Sequence, residues 1–118
     1  MANKNTESTR YYSDAHEKSV CRALGAKQQS NSGAATFAAG DCVHEAASLL
    51  IECKTCMTEK SSFSIKSEWL RKNRDEAFSK RLQNYCLAFN FGPGQPNYYV
   101  INESLMQQLT EYLEESLK

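Results

Sequence analysis

The stretch Leu49-Leu50-Ile51-Glu52-Cys53-Lys54 constrains this chain more than any other. An apolar run bounded by a charged pair reads as a buried strand that ends in chemistry. Strand alternation assigns Leu49, Ile51 and Cys53 to one face and projects Glu52 and Lys54 together from the other. The neighbouring strand is expected at Cys42-Val43, directly after Gly40-Asp41, which brings Asp41 toward the same place.

The rest of the chain supplies helices and further strands. Ser13 can cap a helix running to about Leu24, with Asp14 and Glu17 in its first turn and Gly25 just beyond. Its apolar positions Val20, Cys21 and Leu24 share a stripe with Glu17, so a carboxylate faces the body of the fold. Residues 26–30 suit a short strand and Asn31-Ser32-Gly33-Ala34-Ala35 a loop of small residues. Residues 61–65 look like another strand, followed by a helix over 67–82 that buries Trp69, Leu70, Ala77 and Phe78 and displays Lys72, Arg74, Lys80 and Arg81. A strand over 85–91, a Gly-Pro turn over 92–96 and a strand over 98–101 form a hairpin. Ser104 then caps a last helix with the stripe Leu105, Leu109, Tyr112 and Leu113. The expected fold class is α/β, a central mixed β-sheet flanked by helices, with residues 1–12 a flexible segment and 13–118 a single domain.

At 118 residues a multidomain machine is excluded, and no apolar run approaches the roughly 18 residues of a membrane span. The polar N-terminus does not resemble a secretory signal, which makes a cytoplasmic location the expectation. Five cysteines, an odd number, then point to thiols and not to a disulfide framework. Fourteen Lys+Arg balance fourteen Asp+Glu, but four of the acids lie beyond residue 101. Residues 1–101 carry 13 basic against 10 acidic side chains, a mildly basic body with an acidic tail.

Glu17, Asp41, Glu52 and Lys54 therefore form a candidate constellation. Like charges gathered together cost several kcal/mol unless a cation joins them, and hard oxygen donors suit Mg²⁺, with Mn²⁺ as a substitute. Asp41, Glu52 and the backbone carbonyl of Cys53 could hold such an ion, with Glu17 placing a second ion or a water. A water kept by the ion could then be deprotonated at a phosphodiester, with Lys54 orienting it or stabilising the charge that develops.

These residues in this order resemble the PD-(D/E)XK nucleases, and within them the small archaeal-type Holliday junction resolvases and their phage relatives. The pattern is a helix glutamate (Glu17), a Ser-Gly loop (Ser32-Gly33), a Gly-Asp (Gly40-Asp41), an apolar strand ending Glu-x-Lys (Glu52, Lys54), and a Ser-rich segment leading into a helix (Ser61 to Lys66). The resemblance covers roughly residues 13–101. It implies a restriction-endonuclease-like sheet and Mg²⁺-dependent hydrolysis of DNA, foremost of branched four-way junctions, by a homodimer. Asp41 and Glu52 become metal ligands, Lys54 the catalytic lysine and Glu17 the accessory acid, while Ser32, Gly33, Lys66, Lys18 and Arg22 are expected at the DNA. With three acids committed to metal, residues 1–101 retain 13 basic against 7 acidic groups to follow a phosphate backbone.

Other readings compete. A repair, restriction-type or flap nuclease would use the same site, and a binding module would keep the acids as structure only. Cys53-Lys-Thr-Cys56, with Cys42 and His44 nearby, formally matches half a zinc site, but Cys53 alternates onto the buried face and no second C-x-x-C exists. Trp69, Phe78, Tyr98 and Tyr99 could stack on bases, although their spacing suits core packing.

Overall fold

The computed structural model describes residues 4–29 and 41–118, with side chains from residue 10 in the first stretch and from residue 42 in the second. Its elements are α1 (Lys4–Leu24), β1 (Lys27–Gln28), β2 (Asp41–His44), β3 (Leu49–Lys54), α2 (Ser67–Ser79), β4 (Asn84–Phe89), β5 (Tyr98–Ile101) and α3 (Glu103–Ser116). The five strands form one mixed sheet in sequence order. Neighbours are antiparallel except β3 and β4, whose parallel pairing requires a crossover, and α2 provides it.

The two faces of β3 explain its composition. Ile51 and Cys53 pack with Val20 and Cys21 of α1, Cys42 of β2, and Cys86 and Ala88 of β4. Leu50 packs on the opposite face with Val43 and with Ala77 of α2, and Leu82 and Tyr85 close that cluster. A central strand covered on both sides tolerates few polar residues, and full burial of Leu50 and of Ile51 contributes roughly 2–3 kcal/mol each.

The ends of the helices follow from local chemistry. At the end of α1, Gly25 adopts φ 67° and Ala26 N–H donates to the Cys21 carbonyl at 2.9 Å, closing the helix as the sequence suggests. The end of α2 uses the same device without glycine. Arg81 takes φ 60°, its N–H donates to the Phe78 carbonyl at 3.0 Å, and Leu82 N–H donates to the Ala77 carbonyl at 2.8 Å. This turns Leu82 back onto the Leu50 cluster. Asn102, two residues before the expected cap Ser104, caps α3 by accepting from Leu105 N–H at 2.9 Å, and Ser104 lies inside the helix.

Several expectations are corrected. Helix α1 begins at Lys4, well before Ser13; no proline or glycine interrupts residues 4–12, and Lys4, Glu7 and Arg10 favour helix there. Residues 61–65 form no strand: they follow β3, both sides of which are already paired, with β2 and with β4. They are held instead by side chains, with Phe63 stacked on Phe89 at 5.1 Å and tilted toward Trp69 at 6.3 Å. Phe78 is exposed, because the buried stripe of α2 runs through Asn73 and Ala77 and leaves position 78 about 100° away. Cys21 and Cys42 are joined by a disulfide between α1 and β2, their Cα atoms 6.0 Å apart, where the odd cysteine count suggests thiols. Residues distant in sequence meet because α1 lies against β2. Among the described residues no helix is long and apolar enough to cross a membrane.

Candidate functional site

Alternation along β3 sends Leu50, Glu52 and Lys54 to the α2 side of the sheet. The Lys54 ammonium lies 3.3 Å from the Glu52 carboxylate. Glu52 is buried and Lys54 half-buried, so this pair is shielded from water far more than an ordinary surface ion pair. The Lys54 nitrogen also lies over the Trp69 ring, 4.6 Å from its centroid, a cation–π contact. Lys66, at the N-cap of α2, places its ammonium 5.7 Å from the same ring.

Register brings in the third residue. Asp41 occupies the position directly opposite Glu52 in the antiparallel pair of β2 and β3. Residues paired in this way share a face of the sheet, with Cβ atoms about 4.5–5.5 Å apart. The side chain of Asp41 lies outside the described residues, as do Ser32 and Gly33 entirely.

Glu17 sits on α1, which packs on the Cys42 side of the sheet. Its backbone oxygen is 3.7 Å from the Cys42 sulfur, so Glu17 lies on the opposite side of the sheet from Glu52, Lys54 and the Asp41 register position, and the expected convergence of Glu17 with them is not seen. Its carboxylate is half-buried and accepts from the Gln28 amide at 2.9 Å. Burial pushes its pKa above the ordinary glutamate value, against the smaller lowering from Gln28. Gln28 also donates to Asp14 at 3.2 Å. The Asp14 carboxyl is held below its usual range first by hydrogen bonding to Lys18, then to Gln28. The Lys18 ammonium is 3.0 Å from Asp14, and Arg22 is exposed one turn further along α1. Lys18 and Arg22 are thus carried on the α1 side of the sheet, whereas Lys54 and Lys66 stand near Trp69 on the α2 side.

The segments that follow β3 and β4 are tied to one another. Thr55 donates to the Asn90 amide oxygen at 2.6 Å, and Lys60 N–H donates to the Phe91 carbonyl at 2.8 Å. Gly92 is obligatory in this brace: its φ is 142°, and a Cβ there would stand 2.7 Å from Glu59 Cα. Phe89, Phe91 and Tyr98 continue the ring contacts that begin at Trp69 and Phe63. These rings are mutual packing partners more than a free stacking platform.

Among the described residues no three His, Cys, Asp or Glu side chains converge to hold a metal. The constellation therefore depends on Asp41 joining Glu52, and the hard oxygen donors at those two positions fit Mg²⁺ and not a thiolate-seeking ion. Cys53 faces away from them into the core, and Cys86 beside it is an inert thiol, pushed by burial to about 12. Sequence reasoning missed Trp69 as the partner of Lys54, Gln28 as the partner of Glu17, and Asn73, a buried polar residue on the α2 stripe. The i, i+4 spacing of Trp69, Asn73 and Ala77 is the signal that could have found the last. Comparison with known protein families, with curated proteins and with solved structures finds no match to this chain.

Proposed function

We propose that this protein is a Mg²⁺-dependent DNA endonuclease of the PD-(D/E)XK type, acting as a Holliday junction resolvase. The observation that carries the reading is the shielded Glu52–Lys54 pair on a central strand, with an aspartate at the register position opposite the glutamate. A lone Glu-x-Lys on a solvated strand would be an ordinary salt bridge. Here both charges are withdrawn from water, which is costly for a pair that serves stability alone.

Asp41, Glu52 and the Cys53 carbonyl are the groups that would hold the ion. Once bound, a divalent cation supplies charge neutralisation at the scissile phosphate and a more acidic water. Lys54 presents an ammonium beside Glu52 to orient the attacking water and to meet the charge developing on phosphorus-bound oxygen. Trp69 keeps that ammonium in place. Lys66, beside Trp69 on the same side as Lys54, contacts the phosphate backbone, and the Ser32-Gly33 loop is assigned to the cut strand, whereas Glu17, Lys18 and Arg22, carried on the α1 side of the sheet, take no direct part in this scheme. Symmetric cutting of two strands calls for two such sites, and the exposed apolar stripe of α3 supplies a surface on which two copies can pair.

The test incubates the full chain with a four-way junction, linear duplex, a flap and single-stranded DNA, in Mg²⁺ or EDTA. The expected result is paired, symmetric incision of the junction in Mg²⁺ and none in EDTA. Asp41→Asn, Glu52→Gln and Lys54→Ala each lower the rate roughly a hundred- to thousandfold while junction binding persists. Cleavage that survives the two acid replacements overturns the site; equal cutting of duplex or flap overturns the junction preference.

A further inference from the structure

Helix α2 crosses the face of β3 that carries the candidate site. Near one end of the crossing, Trp69 lies against Lys54. Toward the other, Ala77 packs with Leu50 and Val43. Trp69, Asn73 and Ala77 are successive i, i+4 positions on one helix stripe, and Leu50, Glu52 and Lys54 are successive same-face positions on the strand. Four helical residues rise about 6 Å and two strand residues about 6.6 Å. The two stripes therefore run in step and in opposite directions, which sets Asn73 at the level of Glu52.

Asn73 is fully buried, and neither its amide nitrogen nor its amide oxygen has a hydrogen-bond partner. Two orphaned polar atoms at a position where leucine would fill the same space cost stability. A carboxamide at the level of a carboxylate on the facing strand has a use that leucine lacks. Its NH₂ can donate to the carboxylate while its oxygen accepts from a water of a hydrated cation, the outer contacts that orient metal ligands.

Building on the metal-dependent reading above, we infer that Asn73 is a positioning residue for a Mg²⁺-class cation at Glu52, acting through the carboxylate and the cation's water. Asn73 is not itself a ligand.

Mg²⁺ and Mn²⁺ titrations followed by calorimetry, on the full chain without DNA, separate the outcomes. Wild type is expected to bind, and Glu52→Gln is expected to abolish binding. Asn73→Leu weakens affinity about tenfold or more, while the metal-free melting temperature stays level or rises because the orphaned atoms are gone. Asn73→Asp provides a second reading that does not depend on the leucine variant folding: its metal-free form melts lower than wild type, and saturating Mg²⁺ raises its melting temperature by more than it raises wild type's. If wild type binds, Glu52→Gln does not, and both Asn73 variants match wild type in metal response, this inference falls and the nuclease reading stands. If wild type binds no divalent cation, both fall.

Discussion

At Glu52 two physical demands meet: a central strand that excludes water and a carboxylate that needs compensation. Lys54 meets part of the demand at 3.3 Å, and Trp69 keeps the ammonium there. Removing the lysine strands the carboxylate, so Lys54→Met is expected to lower unfolding free energy by about 2–4 kcal/mol in metal-free buffer. Added Mg²⁺ should recover part of that loss, as read from denaturant midpoints; a neutral substitution would mean that the pair is solvated. His16 is a second residue with a legible cost. It is buried on α1 with neither ring nitrogen hydrogen-bonded, and burial pushes its pKa down, with Asn97 alongside pulling the other way less strongly. The unfolded chain therefore takes up the proton first. Stability should be full above the unfolded histidine value near pH 6.5 and fall as pH drops below it, toward the depressed folded value. His16→Phe should flatten that part of the profile, measured by urea unfolding between pH 5 and 8.

At the level of elements, strand phase was the most legible feature and loops the least. Alternation in Leu49–Lys54 correctly separates the core face from the Glu52–Lys54 face because a central strand has no freedom to slip without exposing its apolar set. The stripe of α2 was harder to read, since its centre is the polar Asn73 and Phe78 stands as an apolar decoy beside it. The cysteine arithmetic failed because pairing depends on which elements touch, and α1 lies on β2. The Cys21–Cys42 bridge closes a loop for which chain entropy suggests about 3 kcal/mol. Cys21→Ser should lower stability by roughly that amount in non-reducing buffer and change little in dithiothreitol. The left-handed Arg81 that ends α2 makes the opposite kind of prediction: Arg81→Gly should raise stability by about 1 kcal/mol, measured by thermal unfolding, because glycine adopts that conformation without strain.

For the whole molecule, α1 and α2 cover the two faces of the sheet, while α3 has no buried residue. Leu109, Tyr112, Leu113 and Leu117 are all exposed, an arrangement suited to a second copy of the chain. Light scattering should report a dimer, and Leu109→Glu combined with Leu113→Glu should convert it to a monomer with unchanged circular dichroism; a monomeric wild type would remove the two-fold cutting scheme. Apart from the strand expected over 61–65, the order of elements and the acid–lysine strand are readable from residues alone, but the pairing of faces, the Lys54–Trp69 contact and the unpartnered Asn73 require three dimensions. The central claim is that Asp41 and Glu52 share one divalent cation, and a crystal structure of the full chain soaked in Mn²⁺ tests it most directly. Anomalous density bridging the two carboxylates, about 2.1 Å from an oxygen of each, is the expected result; carboxylates of Asp41 and Glu52 turned apart, with no Mn²⁺ between them, would contradict it.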